Sequence, residues 1–402
     1  MRVFLPILLI SISTCSFSTP LATPGKQQKG LLKAFAQSTL KATFQNEKAV
    51  SAISLVSQCK SFNPVIYYAG TYKIHGGKRI NKDSLFETGS ITKSFVSVVI
   101  LQLASEYHLN LDSKNVIAKY FPEYPRWGNI TLRQLMNMTS GIPGNGNKRD
   151  DDIYRHFSGY EYKHYISPNR ILNLTYQYPL HFKPGTEYEY SNTNYVLLGQ
   201  LIQRITGHSG VSEIKTRVFD KLHLKHTYFP TDKLTDIPGV DLAEIVHGYA
   251  FYSNDSDPYP FIKFGEDTSG FSYSEDSYAG AIVSTPSDIN VYVHALYKPS
   301  ALLTKAQLTE FTSLVSVLNG QPFSPVSIPN QIGYGLGIFG FYSTNEKGMI
   351  YFYQGQTDGF QFFYLYNPKT QQYLTFTINT SAPIITKESV MRLFDKFNKI
   401  CK

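Results

Sequence analysis

The sequence predicts an α+β fold: one antiparallel sheet built from both ends of the chain, flanked by helices, with a helical subdomain inserted between the two groups of strands. Three observations predict it. β-rich runs cluster at residues 52–56 and 65–72 and return only after residue 332. The intervening stretch, about 120 to 275, is dominated by helical patterns and loops. The run over 91–107 is apolar on most faces, which is the pattern of a helix buried at the centre of a domain.

The elements follow in order. Arg2 precedes an apolar run at 3–12 and small polar residues to about 22, which reads as a secretory signal peptide over residues 1–22. The run is too short to span a bilayer as a helix. Ile12-Ser13-Thr14-Cys15 is a poor lipoprotein box, with Thr where a smaller residue is usual. No later segment offers about 18 to 20 uninterrupted apolar residues. The expectation is therefore an exported, soluble mature domain over 23–402, periplasmic or secreted.

Residues 23–48 read as a tether and a helix. Residues 52–72 read as a hairpin turning at 60–64, and 91–107 as the central helix. Helices are expected at 132–138, at 194–206 ending on Gly207, and at 287–296. Residues 252–275, rich in Asn, Asp, Ser, Gly and Pro, read as loop. Strands are expected at 334–341, 349–353, 361–366 and 373–378, with a closing helix at 387–400.

The 402 residues are 42% apolar, enough for a large core, and carry a formal charge of +8. There is no long Lys/Arg block and no Gly-rich phosphate motif, and the ten histidines lack metal-ligand spacing. These features exclude sequence-specific nucleic-acid binding and predict no metal and no cofactor. The basic balance suits acidic surroundings such as envelope polymers. Once a signal peptide is removed, Cys59 and Cys401 are the remaining cysteines. In an exported chain they either pair, tying the last helix to an early strand, or stay as free thiols.

The chemistry centres on Ser90-Ile91-Thr92-Lys93. Residues i and i+3 share a helix face, so hydroxyl and amine can meet. A serine at a helix start has free backbone N–H groups nearby that favour an oxyanion. A buried lysine sheds its proton readily and can act as a base. The spacing recurs at Ser57…Lys60 and Ser212…Lys215, but only Ser90 follows Glu-Thr-Gly and opens a buried helix. The plainer reading of Ser90 is an N-cap. Tyr190-Ser191-Asn192 adds a phenol that can relay a proton and an amide that can hold a carbonyl. A second Tyr-Ser-Asn at 252–254 falls in the loop-rich stretch. The aromatic and basic residues between Tyr154 and Tyr165 read either as cleft lining or as ordinary subdomain packing.

Taken in order, Ser90-x-x-Lys93, Thr139-Ser140-Gly141-Ile142, Tyr190-Ser191-Asn192, the segment from Ala279 to Thr285, Tyr334-Gly335-Leu336-Gly337 and Asp358-Gly359-Phe360 resemble the serine β-lactamase and D,D-peptidase group. The likeness is to class C β-lactamases, penicillin-binding proteins and related esterases, and it covers about residues 45 to 395. It implies a β-lactamase/penicillin-binding-protein-like fold and a role for each matching residue. Ser90 would form an acyl-enzyme, Lys93 and Tyr190 would move protons, and Asn192 would orient the substrate. The group's third element, Lys-Thr-Gly or His-x-Gly, falls on Tyr353-Gln354-Gly355, and the N–H groups of Ser90 and Gln356 would form the oxyanion hole. Tyr353 departs from the pattern because it brings no positive charge near neutral pH. That places β-lactam turnover and cleavage of carboxylate-terminated D-alanyl-D-alanine peptides in question and leaves esters and uncharged amides open. The rivals are a carboxylesterase, a catalytically inactive envelope-binding protein, and a structural protein that uses Ser90 as a helix cap.

Overall fold

The computed structural model describes residues 24–60, 63–144, 163–241, 244–251, 262–324 and 332–401. The run read as a signal peptide, Cys15, the second Tyr-Ser-Asn and most of the 154–165 cluster lie outside the described residues. Of that cluster, Tyr165 is exposed.

Helix α1 (Pro24–Leu40) precedes three strands, β1 (Ala52–Gln58), β2 (Val65–Lys73) and β3 (Gly76–Arg79). Helix α2 (Thr92–Glu106) follows. Between α2 and the next strands come short helices at Val116–Tyr120, Leu132–Met136 and Pro168–Tyr176, then α3 (Asn192–Thr206) and α4 (Pro286–Leu296). The chain returns to the sheet with β4 (Val315–Ser316), β5 (Ile332–Tyr334), β6 (Phe339–Ser343), β7 (Gly348–Gln356), β8 (Gln361–Asn367) and β9 (Gln372–Ile378). It ends in α5 (Lys387–Cys401).

The nine strands form one sheet in the order β4-β5-β6-β7-β8-β9-β1-β2-β3. The last strand pairs antiparallel with the first, from Tyr373 opposite Gln58 to Ile378 opposite Ile53. That pairing makes a single sheet from the two ends of the chain. Strands β8 and β9 are buried along their whole length, because helices cover both faces. On one face, Leu32 and Ala36 of α1 and Phe394 and Phe397 of α5 pack on Leu55, Leu374 and Phe376. On the other, α2 and α4 form the larger core, with Phe95 stacked on Tyr292 at 3.6 Å between ring centres. Each large apolar side chain buried this way contributes about 1.5–3 kcal/mol.

Twelve of the fifteen residues of α2 are buried, so the helix runs through the core as its all-round apolar pattern requires. Helix α3 stops at Gly207, whose φ of 78° is the left-handed C-cap conformation that glycine adopts without strain. A disulfide joins Cys59, the residue after β1, to Cys401 at the end of α5, with Cα atoms 5.5 Å apart.

Two expectations are corrected. Residues 334–341 do not form a single strand. The chain turns at Gly335–Ile338, and β5 and β6 pair as a hairpin with Tyr334 opposite Phe339. Gly337 has a φ of 92°, and a Cβ there would lie 2.6 Å from Ser97 Oγ and 2.9 Å from the Tyr195 hydroxyl. The tight turn is therefore pressed against α2 and α3, which only glycine permits. The 252–275 stretch is also not loop throughout its described part, since Glu266–Asp267 pairs with Tyr249–Ala250. Among the described residues, no helix is long and apolar enough to cross a membrane.

Candidate active site

The site is built where α2 begins. The short strand Phe86–Glu87 pairs with Val283–Ser284. Both the N–H and the hydroxyl of Thr88 donate to the Ile282 carbonyl at 2.9 Å, and the Ile282 N–H donates to Thr92 Oγ1 at 3.1 Å. This stitching fixes a 3-10 turn, Gly89–Ile91, that feeds into α2. Gly89 carries a φ of 52°, and a Cβ there would meet the Gln356 nitrogen at 2.7 Å, so glycine allows the turn to lie directly on β7. Ser90 occupies neither cap position. Thr88 caps the turn and Ile91 caps α2, both without side-chain hydrogen bonds, which removes the helix-cap reading of Ser90.

Its hydroxyl instead faces Lys93. Lys93 Nζ donates to Ser90 Oγ at 2.9 Å and to the Ala279 carbonyl at 2.7 Å. The side chain is fully buried, with Nζ 4.8 Å from the Tyr190 ring centre and 5.8 Å from that of Tyr195. Burial pushes the Lys93 ammonium well below the usual lysine range, and the nearby Asp276 carboxylate partly opposes this. Burial in turn pushes the Asp276 carboxyl up, and the Lys93 charge opposes that. The two titrate as a pair. The result is an amine that can be neutral near neutral pH and in hydrogen-bond contact with a serine hydroxyl, as an activated nucleophile needs. The other two Ser-x-x-Lys runs serve elsewhere: Ser57 donates to Gln28 Oε1 at 3.3 Å, and Lys215 pairs with Asp220 at 2.6 Å.

Tyr190 lies two residues before α3 and presents its hydroxyl to Ser90 and Tyr353, the latter at 3.4 Å. Burial pushes this phenol up to about 12. Near neutral pH it holds its proton and can donate it. Asn192 opens α3 one residue after the N-cap Ser191, and its side-chain oxygen is buried.

Strand β7 supplies the opposite wall. Tyr353 is fully buried and sits 2.7 Å, hydroxyl to hydroxyl, from Tyr334. Where the resemblance calls for a lysine or histidine, the structure therefore holds a neutral phenol in a Tyr190–Tyr353–Tyr334 network. Burial raises the pKa of both Tyr353 and Tyr334. A Cβ on Gly355 would lie 1.8 Å from the Thr88 carbonyl oxygen and 3.2 Å from the Ser90 nitrogen, so Ser90 and Gly355 are in backbone contact.

The ladder register gives the direction of the Gln356 N–H. The Thr357 N–H donates to the Phe360 carbonyl at 3.0 Å, and Gln356 lies opposite Gln361. Bonded and non-bonded pairs alternate in an antiparallel ladder. The Gln356 N–H thus turns away from β8, toward the Gly89–Ser90 turn. Two backbone donors converge there, as an oxyanion site needs.

The structure brings together Ser90, Lys93, Tyr190, Tyr353, Gly355 and the Gln356 backbone, with Asn192 at the start of the adjoining helix. Sequence reasoning assigned no role to Asp276, to the Ala279 carbonyl that positions Lys93, to Tyr334, or to Glu87. Burial and the neighbouring Asp276 and Asp358 push the Glu87 carboxyl up to about 8. The only signal for Glu87 was its place in the Glu-Thr-Gly-Ser run. Nothing in the sequence links Asp276 to Lys93.

The beta-lactamase family model matches residues 63–388. Protein flp of Staphylococcus aureus is 29% identical over 310 residues, covering 75% of this chain and 54% of that protein. A penicillin-binding protein of Bacillus subtilis is 28% identical over 303 residues, covering 74% of this chain and 61% of that protein. The chain thus spans roughly half to three-fifths of the length of these relatives. Among solved structures, the D-stereospecific amidohydrolase of a Streptomyces species superposes with a TM-score of 0.72 at 24% identity, over 90% of this chain and 98% of that one. The D-amino acid amidase of Ochrobactrum anthropi gives 0.73 at 22% identity, over 93% and 97%. At these identities the structures share the fold. With a family model matching most of the sequence and the Ser90–Lys93 pair in contact at the head of a buried helix, the chain belongs to the beta-lactamase family of serine hydrolases.

Proposed function

We propose that the chain is an exported acyl-transfer hydrolase acting on amides or esters that lack a carboxylate beyond the scissile bond. The observation that carries it is the 2.9 Å contact between Ser90 Oγ and a fully buried Lys93. Neutral Lys93 takes the Ser90 proton as Oγ attacks the carbonyl carbon. The carbonyl oxygen becomes an oxyanion facing the N–H groups of Ser90 and Gln356. As the C–N or C–O bond breaks, the Tyr190 phenol gives its proton to the leaving nitrogen or oxygen, and the Lys93 ammonium restores it. Both groups end in their starting states with Ser90 acylated. Water then attacks the acyl carbon, gives its proton to Lys93, and releases the acid as Ser90 regains its hydrogen.

The substrate preference rests on Tyr353. A neutral phenol held between Tyr190 and Tyr334 offers a substrate carboxylate no cationic partner. Amides and esters therefore come before D-alanyl-D-alanine peptides and β-lactams. The solved neighbours named as a D-amino acid amidase and a D-stereospecific amidohydrolase support amides of D-amino acids as first candidates. Export, to the periplasm or the medium, is supported by the apolar run after Arg2 and by the Cys59–Cys401 disulfide. The test is a panel of D-phenylalanine amide, D-phenylalanine methyl ester and an acetylated D-alanyl-D-alanine peptide, with Ser90→Ala as control. Turnover of amide or ester that is lost in the variant is expected. Turnover of the carboxylate-terminated peptide alone would overturn the preference. Peptide or glycan binding with no turnover at all would favour the inactive, envelope-binding reading.

A further inference from the structure

The sheet face that carries α1 and α5 concentrates positive charge away from the catalytic residues. Helix α1 has three lysines and no acid, and α5 has three lysines and one arginine against Glu388 and Asp395. The two helices thus hold a net +5 of the chain's +8. Their spacing gathers these charges. Lys26, Lys29 and Lys33 recur at i, i+3 and i+7, opposite the buried Gln28, Leu32 and Ala36. Arg392, Lys396 and Lys399 recur at i, i+4 and i+7, turned away from the buried Val390, Phe394 and Phe397. The helices pack against each other, so one surface carries both stripes. All seven cations, Lys387 included, are exposed. Among the described residues none of them enters an ion pair, and Glu388 acts on Lys387 and Arg392.

Apolar clefts flank this charge. Between α1 and α5 lies a cleft of about 270 Å³ lined by Leu31, Phe35 and Leu393, with the exposed Arg392 and Lys396 at its rim. On the other side of α5 lies a second, of about 170 Å³, walled by Phe341, Phe352 and Met391, with the exposed Lys387 beside them. A soluble acidic polymer has no use for such clefts. A lipid does: its acyl chain fills an apolar cleft while its phosphate meets the cations around it. Long basic side chains also cover apolar surface while keeping their charge in the headgroup layer. The surface is held in place beforehand. Gln28 Nε2 of α1 donates to Cys59 Sγ at 2.7 Å, and Cys59 is bonded to Cys401 at the end of α5. Helix α2, which follows Ser90, covers the opposite face of the sheet.

We propose that the α1–α5 face docks the protein on an anionic lipid surface, with the face of the sheet that bears Ser90 turned away from the bilayer. This docking is separate from the acyl-transfer chemistry and requires no change in it.

The test uses the chain from residue 23, which keeps every described element. It is floated with vesicles of phosphatidylglycerol and phosphatidylcholine in equal parts, or of phosphatidylcholine alone. Partitioning onto the anionic vesicles is expected to exceed that onto the neutral ones at least about tenfold at low salt, and to fall as salt is raised. A lysine close to an anionic bilayer raises partitioning about fivefold, so Lys33→Gln with Lys396→Gln should lower it about twentyfold. Lys221→Gln with Lys225→Gln makes the same charge change at exposed sites in the helical subdomain, and should leave partitioning within about twofold. Both double variants should keep the parent's Ser90 labelling by a fluorophosphonate. Equal partitioning onto the two kinds of vesicle, no partitioning onto either, or equal losses in the two double variants would overturn the proposal. Soluble polyphosphate that binds the parent as tightly, per phosphate, as the anionic vesicles would overturn it in favour of an acidic polymer.

Discussion

Replacing Gly355 with alanine puts the geometry of the oxyanion site to a direct test. The new Cβ would stand 1.8 Å from the Thr88 carbonyl oxygen, 2.8 Å from its carbon and 3.2 Å from the Ser90 nitrogen. All three are backbone atoms, so no side chain can swing aside. Reaching ordinary contact requires β7 and the Gly89–Ile91 turn to part by roughly 1.5 Å. Thr88 is held to Ile282 by two hydrogen bonds, and β7 is held to β8 by a ladder from Tyr351 to Gln356, so the strain falls at their junction. Overpacking of this kind costs about 1–3 kcal/mol of stability. The catalytic cost is larger. Parting the two strands separates the Ser90 and Gln356 N–H groups, and losing one such donor lowers kcat by about 10²–10³-fold. Gly348→Ala on the same strand is the control, because its nearest neighbour would be Glu346 O at 3.9 Å. Ester or amide kcat/KM is measured beside the melting temperature. A Gly355→Ala chain that keeps kcat/KM within about threefold of the parent would refute the oxyanion-site assignment.

Other consequences follow from the same geometry. The rate of Ser90 labelling should rise with pH as Lys93 loses its proton, through a midpoint well below the usual lysine range because burial lowers it. Asp276 holds that midpoint up, so Asp276→Asn should move the rise to lower pH; a shift upward, or none, would contradict the coupling. Tyr353→Phe removes the hydroxyl that joins Tyr190 to Tyr334. It should lower kcat roughly tenfold with little change in KM if the phenol only positions Tyr190. A changed KM with unchanged kcat would speak against positioning. Cys59→Ser opens a link between residues 342 apart in sequence, and it should cost about 2–5 kcal/mol in denaturant unfolding. An unchanged midpoint, or two free thiols on the denatured, unreduced wild-type chain, would remove the disulfide.

Much of this arrangement is legible in the sequence because it is local. The apolar surround of α2 marks it as a core helix, and a lysine inside such a helix has no ordinary reason to be there. The hairpins after residue 348 show through their β-rich runs. The break at Gly335–Ile338 is masked because glycine and apolar residues keep alternating through the turn, and its one trace is the slip of phase at Ile338-Phe339. What sequence could not reveal is whatever the fold assembles from distant segments. The Ala279 carbonyl meets Lys93 across 186 residues. Tyr190 and Tyr353 meet across 163. Asp276 acts on Lys93 from a segment far along the chain, next to the Val283–Ser284 strand that pairs with Phe86–Glu87. Tyr353 could be seen as a departure from a known pattern, but its partnership with Tyr334 required the β5–β6 turn.

The central claim is that Ser90 is a nucleophile activated by Lys93. Intact-mass spectrometry after incubation with a fluorophosphonate tests it most directly, with Ser90→Ala and Lys93→Ala alongside the wild-type chain. The account predicts one adduct on the wild type, none on Ser90→Ala, and labelling slowed by two or more orders of magnitude in Lys93→Ala, as expected for loss of a positioned base. A folded wild-type chain that takes no adduct, or a Ser90→Ala chain that still takes one, would contradict it.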